Sequence, residues 1–138
     1  MRFMVIVKAS KDSESGIMPS EQMLNEMGAF NVELEKAGAM LAGEGLHPSS
    51  KGARIRFDGK KQTVTDGPFA ETKELVAGFW IIQVKSMDEA IQWMKRAPFQ
   101  EGEIEIRRVF EADEFGDALA PEYREQEERL RTAQGYKK

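Results

Sequence analysis

Apolar residues along this chain fall into short blocks whose spacing switches between two periods. Phe3-Met4-Val5-Ile6-Val7, closed by Lys8, is a continuous run with β-branched members, and it predicts a strand over residues 3–8 that is buried on both faces. Residues 9–19 hold Ser, Asp, Gly and Pro and predict a loop. From Ser20, an N-cap residue type followed by Glu21 in the first turn, Met23, Met27, Phe30, Leu34 and Ala37 recur every three or four positions. That is the stripe of an amphipathic helix, and Gly38 is a suitable residue to end it. Met40-Leu41-Ala42 opens a second strand that runs into Gly43-Glu44-Gly45-Leu46-His47-Pro48, where two glycines and a proline predict a bend or a close backbone approach. Arg54–Phe57 and Lys61–Thr65 alternate as short strands around Asp58-Gly59, the strongest hairpin signal in the chain. Asp66-Gly67-Pro68 predicts a turn, and residues 69–75 an irregular or briefly helical stretch.

The most hydrophobic segment is residues 76–84, where Phe79, Ile81 and Gln83 alternate with Trp80, Ile82 and Val84. A capping box, Ser86-x-x-Glu89, starts a second helix with Ala90, Ile91, Met94 and Ala97 on its apolar face, and Pro98 stops it. The strand Glu103–Val109 sets Ile104 and Ile106 against Glu103, Glu105 and Arg107. A charged helical pattern covers Asp117–Gln134. The order β-α-β in each half predicts an α+β, ferredoxin-like (split βαβ) antiparallel sheet with helices on one face and a hairpin inserted in the middle. Because the central strands are apolar on both faces, the second face needs a cover, and a second copy of the sheet is the simplest one. A homodimer is therefore expected.

Composition narrows the function. The chain has 138 residues, the size of one ordinary domain. It has no cysteine, which excludes disulfides and thiolate chemistry, and one histidine, His47, which excludes a multi-histidine metal site within one chain. No apolar run approaches the roughly 20 residues of a membrane helix, and no signal-peptide pattern precedes the first strand, so neither a membrane nor secretion is expected and the cytoplasm is the default. Net charge is −4 and no basic run is longer than two residues, so nucleic acid is not an expected partner. Residues 1–110 carry 15 Lys/Arg against 16 Asp/Glu, and residues 111–138 carry 5 against 8, which divides a body from an acidic, partly helical C-terminal extension. No phosphate-binding glycine loop, serine nucleophile elbow or dinucleotide fingerprint is present, and no cofactor is expected.

The stretch Val64–Glu74, VTDGPFAETKE, resembles the DGPF signature of YCII-related domain proteins. The resemblance continues through RFMVIVKAS, AGAMLAGEGLHP, AGFWIIQV, SMDEAIQWMKRAP and IEIRRV, and covers about residues 1–110. It implies a dimeric α/β barrel of two ferredoxin-like protomers. Some relatives resemble enzymes with a His–Asp pair in a cleft, the histidine lying on the first helix; here that helix has no histidine. DGPF-type members resemble bacterial cytoplasmic proteins associated with extracytoplasmic-function sigma factors.

Two function classes follow. One is a small-molecule enzyme with a carboxylate, with or without histidine, as acid/base; the other is a non-catalytic dimeric binding or regulatory module. Asp66, opening the DGPF turn, is either a turn carboxylate accepting backbone N–H groups or a general base. His47 is the side chain that titrates nearest neutral pH, and otherwise a solvated loop residue. Glu71 and Lys73 share one side of the signature if it is extended, as ligand contacts or as an ion pair pinning the loop. Glu44, between two glycines, is a further candidate acid. Arg54 and Arg56 share a strand face and either hold an anion or keep the strand soluble. Phe69 reads as a core residue, and Trp80 and Trp93 as core or interface anchors.

Overall fold

In the computed structural model, which describes residues 1–70, 74–118 and 120–135, the two βαβ halves interleave. The elements are β1 (Arg2–Lys8), α1 (Lys11–Glu14), α2 (Glu21–Lys36), β2 (Met40–Gly45), β3 (Ala53–Asp58), β4 (Lys61–Asp66), β5 (Val76–Gln83), α3 (Met87–Met94), β6 (Ile104–Arg108) and α4 (Pro121–Ala133). Four strands form one antiparallel sheet in the order β2-β5-β1-β6, so each βαβ unit straddles a strand of the other. This is the split βαβ topology. β3 and β4 form a separate two-stranded sheet.

Caps set the helix bounds. Ser20 Oγ accepts the Met23 N–H and Ser86 Oγ the Glu89 N–H, while Gly38, with φ of 70°, ends α2. Phe30 and Leu34 of α2 and Ala90 and Met94 of α3 pack onto Phe3, Val5, Trp80 and Ile82, and these make the core. The register pairs Val5 with Trp80 and Ile106, and Phe3 with Ile82, so this row of side chains faces the helices. The other face carries Met4 and Ile6, paired with Ile81 and Phe79, all half-buried. Both helices of the sheet lie on the first face.

Three details depart from the sequence reading. Residues 9–19 are not all loop: Ser10 and Ser13 cap each other's backbone N–H groups and hold one helical turn, α1, too short to show an apolar stripe. In the hairpin, Asp58 pairs with Lys61, so the two-residue turn is Gly59-Lys60, with Gly59 at φ of 60°. The C-terminal helix starts at Pro121, which fits N1 because it has no N–H to satisfy there, and a 3-10 segment precedes it.

α4 buries no residue. It is held by charge: Arg131 bonds Glu111, whose carboxylate also accepts from Arg2 Nε at 2.9 Å and Nη2 at 3.1 Å. Burial pushes the Glu111 carboxyl up, but Arg2 and Arg131 outweigh it and hold it below its ordinary range. No helix among the described residues is long and apolar enough to cross a membrane.

Candidate functional site

A cleft of about 270 Å3 opens between α2 and the β2–β5 side of the sheet. Val7, Met27, Trp80 and Phe99 give it mostly apolar walls, and Asn31 of α2 contributes a polar side chain. Two glycines shape the floor. A Cβ on Gly43 would stand 2.8 Å from Trp80 Cδ1, and one on Gly78 would stand 2.9 Å from the Glu44 carbonyl oxygen. The close approach expected at residues 43–48 is thus realised at Gly43, where the missing Cβ makes room for the indole edge. The Trp80 indole N–H then donates to Asn31 Oδ1 at 2.9 Å. Phe30 and Phe99 meet the indole edge-on, with ring centroids at 5.9 and 6.1 Å, which fixes the ring from two sides.

Glu44 lies on the rim of this cleft. It is exposed and pairs with Phe79, so its side chain leaves the sheet on the face away from α2 and α3. Neither Asp66 nor His47 lines the cleft. Both are exposed, and neither side chain makes a hydrogen bond with the described residues. Arg54 and Arg56 pair with Thr65 and Thr63 on one face of the exposed hairpin. Glu71 and Lys73 lie outside the described residues.

The DGPF segment is organised by residues that the sequence does not flag. Ser49 Oγ accepts the Phe69 N–H at 3.0 Å, and the Ser49 N–H donates to Glu14 Oε2 at 2.9 Å, with the Ser49 hydroxyl on the other Glu14 oxygen. The side-chain and then the backbone hydrogen bond from Ser49 hold the Glu14 carboxyl below its ordinary value of 4.5. The Gly67 N–H donates to the Gly52 carbonyl at 3.0 Å and closes the base of the hairpin. Among the described residues, Glu14 is the carboxylate that braces this turn, through Ser49, and the Asp66 side chain makes no hydrogen bond with them. Phe69 is half-buried and not in the core; its ring lies under the Arg54 guanidinium, 3.9 Å from the centroid. The Ser49–Glu14 contact spans 35 residues, which no local pattern encodes. Asn31 did leave a signal: it is a polar residue four after Met27 and three before Leu34, on the apolar stripe itself.

Fold and cleft together define an α+β domain with a mostly apolar concavity among its described residues. The chain belongs to the YCII-related domain family, whose model matches residues 1–113. It is similar to an uncharacterised protein of Rhizobium meliloti (strain 1021), 32% identical over 90 residues that cover 63% of this chain and 73% of the relative. Among solved structures it is similar to the 5-chloro-2-hydroxyhydroquinone dehydrochlorinase of Burkholderia phenoliruptrix AC1100 in complex with 2,5-dihydroxybenzoquinone. That match has 16% identity over 80% of this chain and 94% of the other, with a TM-score of 0.39, too distant to carry an argument about activity.

Proposed function

We propose that this YCII-related domain is a small-molecule-binding module whose ligand occupies the cleft between α2 and the sheet. The carrying observation is the cleft's lining: apolar walls, an aromatic ring locked in place by Asn31, and no acid or base among its described residues except Glu44 on the rim. Mostly apolar concavities with a few placed polar groups are the usual form of such sites. The volume suits a single-ring molecule. A catalytic reading finds no acid or base side chain directed into the cleft among the described residues: Asp66 and His47 stand outside it, and the Glu44 side chain leaves the sheet on the other face. Ethylbenzene tests the binding reading: a ligand that binds only the folded state raises the melting temperature in a saturable way. No shift at millimolar concentration would sink it.

The same reading includes a homodimer packed through the sheet face that α2 and α3 leave open, forming a dimeric barrel. What supports it is Met4, Ile6, Phe79 and Ile81, contiguous and half-buried, with Lys8, Glu105 and Arg107 along one rim. An apolar centre with a charged rim is the anatomy of an interface core. Sedimentation equilibrium at micromolar concentration separates a dimer from a species at the chain mass of 15.6 kDa, and the latter result would overturn it.

A further inference from the structure

An indole N–H can only donate, so the Asn31 atom 2.9 Å from Trp80 Nε1 has to be the amide oxygen. This one contact fixes the orientation of the whole side-chain amide, and with it the position of the Nδ2 donors. Asn31 Nδ2 makes no hydrogen bond with the described residues, yet Asn31 lines the cleft and is only half-buried. The cleft therefore offers an oriented donor pair in an otherwise apolar wall. Its orientation is secured twice, by the Trp80 N–H and by Gly43, whose lack of a Cβ lets the indole sit there. No lysine, arginine or histidine is among the described residues of the lining, so an anionic oxygen would enter without a counter-charge.

Resting on the small-molecule reading of this cleft, we infer that Asn31 is its specificity-determining residue. It selects a neutral, ring-sized ligand with an uncharged acceptor oxygen, a ketone or amide carbonyl, which Nδ2 binds while the ring lies among Val7, Met27, Trp80 and Phe99. An oxygen-free hydrocarbon of the same shape fills the cleft but leaves Nδ2 without an acceptor. A carboxylate of the same size loses its hydration without gaining a cation. Preference for the carbonyl should be that of one hydrogen bond, about three- to tenfold in affinity.

The matched probes acetophenone and ethylbenzene differ by a carbonyl in place of a methylene. Each is titrated into the 15N-labelled full chain, with the Trp80 indole resonance assigned in a Trp93→Phe background and the Asn31 side-chain NH2 pair followed alongside. The expected result is that both probes shift the Trp80 indole, that acetophenone binds about three- to tenfold more tightly, and that only acetophenone moves the Asn31 NH2 pair strongly. Asn31→Asp keeps an acceptor for the indole but has no donor, and it should erase the preference. Equal affinities in the wild-type chain, or a preference that survives Asn31→Asp, would overturn the role of Asn31 and leave the binding cleft standing. If neither probe moves the Trp80 resonance, the binding reading and this one fall together. The wild-type comparison decides the matter even if the variant fails to fold.

Discussion

The carbonyl oxygen of Ser49 lies 1.7 Å from the point where a Cβ on Gly67 would stand. Ser49 precedes the hairpin and Gly67 follows it, so the two chain segments cross there at backbone contact. The glycine of the DGPF signature is thus required by space. The obstructing atom is backbone, not the end of a flexible side chain, and it cannot rotate away. Gly67→Ala should destabilise the fold by about 2 kcal/mol or more, read as a lower urea midpoint at unchanged slope. An unchanged midpoint would mean that the crossing is looser than described.

Phe69 follows in the same segment, half-buried under Arg54. Its truncation removes partial burial and a cation–π contact, not a core packing unit. Phe69→Ala should therefore cost about 1–2 kcal/mol, below the 3–5 kcal/mol typical of a buried phenylalanine. A loss in the upper range would place the ring in the core.

Glu14 ties this segment to α1, and its carboxyl is held below the ordinary value of 4.5 by the Ser49 hydrogen bonds. A carboxyl lowered in the folded state contributes stability that is present above its unfolded value and is lost as pH falls through the folded one. The stability gap between wild type and Glu14→Gln should accordingly be open at pH 7 and close as the solution is acidified below about pH 4.5. A gap independent of pH would show that the charge of Glu14 is not what Ser49 reads.

Glu111 is shared by Arg2 of β1 and Arg131 of α4. Glu111→Gln weakens both contacts and should cost about 1–2 kcal/mol, given that the site is partly exposed. Arg131→Met leaves the Arg2 contact in place and removes the bonds from the helix to Glu111 and to the Phe110 carbonyl. It should leave the global melting temperature within about 1 °C, because α4 buries nothing, while amide exchange across Pro121–Ala133 accelerates. Slow exchange retained in that variant would mean that α4 is held by something other than Arg131.

Ile81 sits at the middle of the open sheet face, paired with Met4. Ile81→Lys places a charge at the centre of the proposed interface, while the core residues Trp80 and Ile82 on either side stay where they are. The expected product is a folded monomer with native circular dichroism. A dimer that persists unchanged would exclude this face from the contact.

Legibility in the sequence followed range along the chain. Ser20, Ser86 and Gly38 act within one helical turn, and the alternation of Phe79 to Val84 sorts each residue to its face; such features were readable because their partners are three or four residues away. The Trp80–Asn31 bond spans 49 residues, and the Glu14 and Ser49 contact 35, so no window of sequence holds both members. Trp80 read as a core anchor, which it is, but its N–H gave no hint of where it would donate. His47 and Asp66 attracted notice through their chemistry alone, and chemistry without position could not say that both would stand outside the cleft. The turn of α1 escaped because its capping pair is two serines and it carries no apolar stripe.

The hairpin β3–β4 exposes every residue it contains, with Ile55, Phe57 and Val64 along one side, yet its base is clamped by the Gly67–Gly52 bond and the Ser49–Gly67 crossing. The tip therefore joins the rest of the chain through a narrow collar of backbone contacts. For an engineer this makes Gly59-Lys60 a docking port: a tag, a fluorophore or a grafted loop could be spliced there, and its length would be absorbed before it reached the core.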